Sequence, residues 1–369
     1  MHGGHGMNRI VISGYYGFGN AGDEAMLAAI LEAILEVLPD ADITVISGNP
    51  SYTKKKHGVR AIGRFSMFRI LYAMARCDIL ISGGGSLLQD VTSKRSLYYY
   101  LSIIRLATFF GKKVMLYAQG IGPLRRPLAR HMVRKVLDKV SMITVRDERS
   151  KSELKDIGIA EHVPIQVTAD AVLAMHPVDI ELGKRLLSDY HISGVKPRIG
   201  VSVRAWKKER AYRKELAQAL DRLQDELDTD IVFIPMQYPS DAEEAQAVAD
   251  LMEHQPIVLK KQYTTTELLA LCGYMDVLIG VRLHALVFAS LMMKPVVGIS
   301  YDPKILNFLH MIGEDAVGTL VNVEAHTIYT QAREALVNQT IKEHVRARIT
   351  YLREESLKNA HIALTLLDK

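Results

Sequence analysis

The sequence predicts an α/β protein of two Rossmann-like domains with a cleft between them, and three observations predict this class. Short β-branched runs alternate with amphipathic helical stretches, which is typical of parallel sheets covered by helices. The alternation pauses near residue 175 and then starts again. A chain of 369 residues also exceeds one ordinary core. In such folds, ligands bind at the carboxyl ends of the strands.

The first domain is predicted to span residues 7–175. Its strands are predicted at Arg9–Ser13, Ile43–Ser47, Ile79–Ser82, Val114–Ala118 and Met142–Val145. Between them, amphipathic helices are predicted at Ala25–Val37 and Met67–Arg76.

The second domain is predicted to span residues 176–340, with His176–Lys196 as the crossing segment. Its strands are predicted at Ile199–Val203, Ile231–Pro235, Ile257–Leu259, Val277–Ile279 and Val296–Ile299. Its helices are predicted at Glu209–Glu226, Asp241–Glu253, Thr265–Tyr274 and Leu286–Met293. A last helix in residues 341–369, about Lys342–Leu367, is long enough to return and pack on the first domain.

The two halves resemble each other at one place. The stretch Cys77–Leu88 parallels the stretch Met275–Leu286 in the order of apolar, glycine and helix-forming residues. In both, we expect a buried strand to end in a turn that starts a helix, with Ser86 as a helix cap in the first.

The distribution of charge limits the kinds of partner that the sequence predicts. The net charge of +5 is mild, but the basic residues cluster in the first half, as in Lys54–Lys56 and Arg125–Lys135. Solvated helix faces explain such clusters, and so does attraction to anionic lipid head groups or a pyrophosphate. The aromatic residues of Tyr98–Phe110 favour peripheral contact with the cytoplasmic face of a membrane, and no motif indicates nucleic acid.

Two isolated cysteines, Cys77 and Cys272, predict buried free thiols rather than disulfides or a metal site. The N-terminus lacks the pattern of a signal peptide. The chain is therefore predicted to be cytoplasmic.

The first glycine-rich turn is Gly17-x-Gly19-x-x-Gly22. This spacing matches a dinucleotide fingerprint, but the second strand ends without the acid that a nicotinamide ribose requires. Asn20 and Asp23 suit recognition of sugar hydroxyls better, and capping of the following helix is the alternative role.

Two further loops follow strands of the same sheet. Glycines of Gly83–Gly85 allow a ligand to approach the backbone, and Gln89 and Asp90 follow them. Gln119 and Gly120 end the next strand. Three such loops at one sheet edge predict a binding site there.

Four cations stand at predicted strand ends, which predicts a site for a small polyanion. They are Arg146, Arg204, Arg282 and Lys304, and His284 accompanies them. An ion-pair cluster with Asp147 and Glu148 is the alternative for Arg146 and Arg149. The Asp302-Pro303 pair predicts a helix start that puts Lys304 in its first turn.

These segments resemble the polysaccharide pyruvyl transferase family, including its CsaB-type cell-wall enzymes. The matching segments are Gly19–Glu24, Gly83–Asp90, Ala118–Pro123, Arg146–Ser150, Arg282–His284 and Ser300–Lys304. The resemblance implies a GT-B-like arrangement and phosphoenolpyruvate as donor, with no metal or cofactor. It implies a hexosamine acceptor, commonly N-acetylmannosamine on a lipid-pyrophosphate carrier, pyruvylated as a 4,6-ketal in secondary cell-wall polysaccharide of the kind that anchors S-layers.

The resemblance also implies roles for single residues. His284, Arg146 and Lys304 are the expected catalytic residues, with His284 either protonating the donor or holding its phosphate. The expected substrate-binding positions are Arg282, Leu283, Arg204, Asn20, Asp23, Gly84, Gly85, Gln89, Asp90, Gln119, Gly120, Tyr301 and Asp170. Asp23 or Asp170 is expected to accept a hydroxyl proton.

Two other functions fit the same pattern. A GT-B glycosyltransferase would use a nucleotide sugar and would need a ribose-binding acid in the second domain, where Glu267 and Glu314 offer no convincing motif. A non-catalytic binder of polysaccharide precursors would keep the basic surface without needing Arg282, His284 and Lys304 together.

Overall fold

The computed structural model describes residues 8–91, 94–190, 192, 195–206, 209–338 and 341–368, and the chain divides into two compact units. The first unit contains the residues up to 175 and those from 352 onward, and the second contains residues 176–351. The N-terminal residues 1–7, where the sequence predicts no signal peptide, lie outside the described part. Within the described ranges, no helix is long and apolar enough to cross a bilayer.

The first unit contains a parallel eight-stranded sheet with helices between its strands. The strands are β1 Arg9–Ser13, β2 Asp42–Ser47, β3 Arg60–Gly63, β4 Ile79–Ser82, β5 Gly85–Leu88, β6 Lys113–Ile121, β7 Met142–Val145 and β8 Ile165–Val167. The helices are α1 Ala21–Val37, α2 Pro50–His57, α3 Met67–Arg76, α4 Lys94–Phe109, α5 Pro127–Leu137 and α6 Glu148–Ile157, followed by a 3₁₀ turn at Ala171–Ala174.

The strand order is β3-β2-β1-β4-β6-β7-β8, with β5 beside β6, and every described pair is parallel. The central strands β1 and β4 are apolar on both faces because helices cover both sides. The carboxyl ends of β1, β4, β6, β7 and β8 therefore form one edge, at which the glycine-rich loops and Arg146 lie.

The prediction that a turn after Ile79–Ser82 leads directly into a helix is wrong. Residues Gly85–Leu88 form β5, and the next helix starts only at Lys94. Strand β6 is longer than predicted and continues to Ile121, so its last residues offer a free edge to which β5 pairs, with Gly85 opposite Gln119 and Leu88 opposite Ile121. Ser86 is thus a strand residue and not a helix cap.

The second unit contains a parallel six-stranded sheet in the order β11-β10-β9-β12-β13-β14. Its strands are β9 Arg198–Ser202, β10 Asp230–Phe233, β11 Ile257–Val258, β12 Val277–Gly280, β13 Val296–Ser300 and β14 Ala316–Thr319. Its helices are α7 Glu181–Leu186, α8 Ala211–Leu227, α9 Ser240–Ala249, α10 Thr265–Tyr274, α11 Leu283–Leu291, α12 Pro303–Ile312 and α13 Ala325–Asn338, with a 3₁₀ turn at Ser188–Tyr190. Here the expected turn from strand into helix is confirmed, because α11 starts three residues after β12.

The last helix, α14, runs from Glu343 to Leu367, and its residues from Leu352 onward belong to the first unit. Polar side chains fix this part in place. The buried Asn359 accepts hydrogen bonds from Thr144 Oγ1 (2.5 Å) and Thr168 Oγ1 (3.1 Å), and Ser356 Oγ donates to the Asp170 carbonyl (2.9 Å). The helix therefore supports the ends of β7 and β8, where Arg146 and Asp170 lie.

Both cysteines are buried free thiols, as predicted. Burial raises the pKa of the Cys77 thiol to about 11 and that of the Cys272 thiol to about 12. Both are therefore protonated and unreactive at neutral pH.

Candidate functional site

The turn after β1 is held by its own side chains. Asn20 is the N-cap of α1, and its Oδ1 accepts hydrogen bonds from the backbone amides of Gly22 (3.0 Å) and Asp23 (3.2 Å). The capping role is therefore real, and it uses the oxygen of the Asn20 amide.

Glu24 supports this turn from inside the protein. It is buried, and its carboxylate accepts a hydrogen bond from the Gly17 amide at 2.7 Å. Lys56 and His57 lie 3.9 and 3.8 Å from its other oxygen. Glu24 thus fixes the shape of the turn, whereas the neighbouring Asp23 is only partly buried.

Tyr16 fills the space beneath the glycine-rich loops. Its ring leaves no room for a side chain at either Gly14 or Gly83, because a Cβ there would lie 2.3 Å from Cζ or 1.9 Å from the hydroxyl. Burial raises the pKa of this phenol, and the charges of Asp23 and Glu24 raise it further, so the group stays neutral.

The loop after β4 lies against the first turn of α1. A Cβ on Gly84 would lie 3.0 Å from Met26 Sδ, and one on Gly85 would lie 3.4 Å from Asp23 Oδ1. Gly85 also has φ +96°, a conformation that side chains disfavour. Two of the predicted loops are thereby in contact through Asp23 and Gly85.

The side chain of Gln119 forms hydrogen bonds inside the first unit. It is fully buried, and its amide Nε2 donates to Ser82 Oγ at 2.7 Å and to the carbonyls of Ser82 and Gly83 at 3.3 and 3.0 Å. It therefore joins the end of β6 to the glycine loop after β4.

Asp90 is also buried, and its side chain forms hydrogen bonds with backbone groups. Its carboxylate accepts hydrogen bonds from the amides of Arg125 (3.0 and 3.1 Å) and Arg126 (2.9 Å). Gln89 is half-buried, and its Oε1 accepts from the Val91 amide at 2.8 Å. Both side chains shape the loop through backbone contacts.

Arg146 lies at the centre of this edge of the first unit. It is 7% exposed, donates to Asp170 Oδ2 at 3.0 Å and to Ser86 Oγ at 3.2 Å, and has Asp147 at 3.7 Å. Its guanidinium rests on Gly120, where a Cβ would lie 2.7–2.9 Å from three of its atoms.

Arg146 thus joins β5, β7 and the segment after β8. Asp170 also accepts from the Val172 amide at 3.1 Å as the cap of the 3₁₀ turn. The positive charge of Arg146 is compensated by buried carboxylates before any ligand binds.

In the second unit, the ends of β9, β12 and β13 lie side by side. Arg204 Nη1 donates to the Tyr301 hydroxyl at 2.7 Å, so the residues that follow β9 and β13 are joined across the end of β12. The Arg204 guanidinium also lies 5.2 Å from the Trp206 ring and 5.0 Å from the Tyr301 ring. The two rings are 4.6 Å apart, which makes a cation–aromatic cluster.

Lys304 extends this cluster. Asp302 caps α12 by accepting from the Lys304 amide at 3.0 Å, so the predicted helix start is confirmed. The Lys304 ammonium lies 5.7 Å from the Tyr301 ring centre. In the described part of the second unit, neither Arg204 nor Lys304 forms an ion pair with a carboxylate.

Arg282, in contrast, has a buried carboxylate partner. It is 8% exposed, and both its Nε (2.9 Å) and its Nη2 bond to Asp241, which is 1% exposed. Asp241 Oδ2 also accepts from the amides of Met236 and Gln237 at 3.1 and 2.9 Å. The pair therefore fixes Arg282 to the segment that links β10 to α9.

Leu283 and His284 are the first two residues of α11. Leu283 is buried, and His284 is half-buried. A helix N-terminus carries positive potential, which favours an anion bound beside these two residues.

The structure thus brings the predicted residues together as two groups, one at the carboxyl edge of each sheet. Sequence reasoning missed Asp241, which is 41 positions from Arg282, and Trp206, which follows Arg204 by two positions after the end of β9. Only the second carried a signal in the sequence, because an aromatic ring two positions from an arginine is close enough in the chain for a cation–aromatic contact.

Solved structures of similar fold cover almost the whole chain. The S. aureus MnaA–UDP structure has a TM-score of 0.68 at 14% identity and covers 98% of both chains. A glycosyltransferase from Rickettsia africae has a TM-score of 0.67 at 14% identity, covering 99% of this chain and 100% of that one. The Anabaena protein HepE in complex with UDP-glucose has a TM-score of 0.65 at 11% identity, covering 97% and 99%.

These similarities establish the fold class, an α/β fold with two Rossmann-like domains like that of GT-B-like UDP-sugar enzymes. No curated protein sequence matches the chain. The family model for polysaccharide pyruvyl transferases matches residues 20–303, which is most of the chain and includes both groups of site residues except Lys304. The protein therefore belongs to the polysaccharide pyruvyl transferase family.

Proposed function

We propose that the protein transfers pyruvyl from phosphoenolpyruvate to a hexosamine, such as N-acetylmannosamine, of a lipid-linked cell-wall polysaccharide precursor. The product is a 4,6-ketal and the leaving group is phosphate, as the CsaB-type resemblance implies. Family membership supports pyruvyl transfer to a polysaccharide. The donor and the acceptor sugar belong to the proposal.

The choice of donor rests on which cations in the described part of the second unit are paired with a carboxylate. Phosphoenolpyruvate carries a carboxylate and a phosphate on adjacent atoms, so it needs several cations close together. Arg204 and Lys304 flank Tyr301 and have no carboxylate partner in the described part of this unit. Arg282, held by Asp241, supplies a third cation in a fixed orientation.

The chemistry follows from the donor. Protonation of the methylene carbon makes C2 electrophilic, one sugar hydroxyl adds there, phosphate leaves and the second hydroxyl closes the ketal. Of the two hydroxyl protons, one replaces the proton delivered to carbon and the other leaves with phosphate. His284 is the proposed proton donor, since it lies in the first turn of α11, where the helix N-terminus favours a bound anion such as the donor.

The first unit is proposed to bind the acceptor. Asp23 is the better candidate for the hydroxyl base, because it is partly exposed and lies next to Gly85, where a ligand can approach the backbone. Asp170, in contrast, is buried beneath the surface, where it bonds to Arg146 and to the Val172 amide. Arg146 is then a positioning residue that fixes the β5 segment through Ser86.

The test is phosphate release from phosphoenolpyruvate with and without a synthetic lipid-pyrophosphate N-acetylmannosaminyl disaccharide. We expect acceptor-dependent release in the wild type, a loss of about a hundredfold or more in His284→Ala, and a raised KM for phosphoenolpyruvate in Lys304→Gln. Lys214→Gln, which removes an exposed cation from α8, is the matched control and should be unchanged.

Three outcomes would contradict the proposal. Turnover of a nucleotide sugar without phosphate release would indicate a glycosyltransferase. Binding of the saccharide without turnover of either donor would indicate a non-catalytic binder. Full activity in His284→Ala would remove the proposed proton donor.

A further inference from the structure

One face of the first unit combines exposed aromatic side chains with an excess of positive charge. Between Phe65 and Tyr72, four large apolar side chains are exposed to solvent, at 79% for Phe65, 60% for Met67, 90% for Phe68 and 64% for Tyr72. All lie on α3 or in the turn before it. Large apolar side chains rarely cluster on a surface that remains in water.

The sequence around this face is strongly basic. Residues 43–137 contain seventeen lysines and arginines and only two acids, Asp78 and Asp90. The remainder of the chain holds 29 basic and 39 acidic side chains, so its net charge is −10. The overall charge of +5 therefore conceals a segment of +15.

The cations lie beside the aromatic residues. Arg69 and Arg76 are exposed on α3, and Arg76 donates to the Tyr72 hydroxyl at 2.7 Å. A groove of about 580 Å³ lies next to α3, and Phe68 and Tyr72 form part of its lining. Five cations and one acid also line it: Arg9, Lys54, Arg60, Arg69, Arg76 and Asp42. Asp42 forms an ion pair with Arg60, which leaves the groove positive.

The aromatic face is also continuous with the loop that follows β1. The Arg64 guanidinium lies 5.2 Å from the Phe18 ring, 4.9 Å from Phe65 and 4.5 Å from Tyr99. Phe18 in turn stacks on Tyr15 at 4.3 Å. A surface that touches Phe65 thus lies beside the loop that presents Asn20 and Asp23.

We propose that the face formed by Phe65, Met67, Phe68 and Tyr72, with the cations around it, docks on an anionic lipid bilayer. A bilayer offers an apolar interior for the aromatic side chains and negative head groups for the arginines and lysines at the same time. A second copy of the chain would bring a like-charged face into contact, which is unfavourable. The choice of a bilayer also rests on the proposed function, because a lipid-linked acceptor resides in one.

The experiment is sedimentation of the full chain with vesicles of phosphatidylcholine alone, or with about one third phosphatidylglycerol. We expect binding to the anionic vesicles, weaker binding to the neutral ones, and release as salt is raised. Phe65→Ser with Phe68→Ser should weaken vesicle binding about tenfold or more, since two apolar rings no longer enter the bilayer. Arg69→Gln should weaken it about fivefold.

Matched controls remove the same kinds of side chain from the second unit. Val337→Ser takes away an apolar side chain that is 63% exposed, and Arg333→Gln takes away an exposed cation of the same helix. Both should bind vesicles like the wild type. Equal binding by the Phe65/Phe68 variant, or no binding by the wild type at low salt, would overturn the proposal. So would a wild-type dimer that the double variant converts to a monomer without any vesicle binding.

The vesicle assay contains no substrate, so its result does not depend on catalysis. If vesicles bind but phosphate is not released, the proposed reaction fails and the docking face stands. If the reaction proceeds, the double variant should keep wild-type activity on a detergent-soluble acceptor and lose activity only on an acceptor embedded in vesicles.

Discussion

The buried pair of Arg282 and Asp241 gives the sharpest test of how the second unit is built. Changing Asp241→Asn keeps the shape of the side chain and removes its charge. The oxygen that accepts from Arg282 Nε, Met236 and Gln237 can be retained, but the new amide group then faces Arg282 Nη2, donor against donor. The guanidinium, only 8% exposed, is left without a counter-charge.

Breaking a buried ion pair from one side costs about 3–5 kcal/mol. Because Asn keeps part of the hydrogen bonding, we expect the free energy of unfolding to fall by about 3 kcal/mol, roughly a hundredfold in the folded-to-unfolded ratio. The assay is urea unfolding followed by tryptophan fluorescence. The chain has one tryptophan, Trp206, and it lies in the second unit, so the signal reports on that unit.

Glu243→Gln is the matched control, because it removes an exposed carboxylate from the same helix, α9. It should change the free energy of unfolding by less than about 1 kcal/mol. If Asp241→Asn behaves like this control, the buried pair does not stabilise the unit and the reasoning about Arg282 is refuted.

Three other predictions concern single positions. Gly120→Ala places a methyl group against the Arg146 guanidinium and should lower turnover about tenfold while costing about 1–3 kcal/mol in stability; steady-state kinetics and urea unfolding check this, and unchanged kinetics would contradict it. Tyr301→Phe removes the partner of Arg204 but keeps the ring, so the KM for phosphoenolpyruvate should rise severalfold with kcat little changed; a fall in kcat alone would oppose the proposed binding role. Both cysteine thiols, whose pKa values burial raises, should resist a thiol reagent at neutral pH until urea unfolds the chain, and rapid labelling of the folded protein would show the burial to be wrong.

The sequence predicted most of the sheets because their strands are apolar on both faces. The strands Arg9–Ser13, Ile79–Ser82 and Met142–Val145 begin and end where predicted. The edge strand Arg60–Gly63 and the short strand Gly85–Leu88 were missed, since neither has an apolar run of its own. The strand Gly85–Leu88 forms because β6 extends past its predicted end and pairs with it. Such pairing between distant segments cannot be read from local composition.

The sequence points to residues of the candidate site, but it does not show which of them form ion pairs. Strand ends and glycine-rich turns place Arg146 at the carboxyl edge of the first sheet, and Arg204 and Arg282 at that of the second. That two of these three are held by buried carboxylates follows only from the folded chain, because Asp170 and Asp241 are far from their partners in sequence. A pattern of cations alone therefore overstated the charge available to a ligand.

Tyr16 has a consequence for how this sequence can diverge. Its ring occupies the volume that side chains at Gly14 and Gly83 would need, so the three positions form one interdependent set. Alanine at either glycine is blocked while the tyrosine remains, and a smaller residue at position 16 removes the closest obstacle. A mutational library would then show strong epistasis among positions 14, 16 and 83, and the order in which substitutions arise would decide which of them survive.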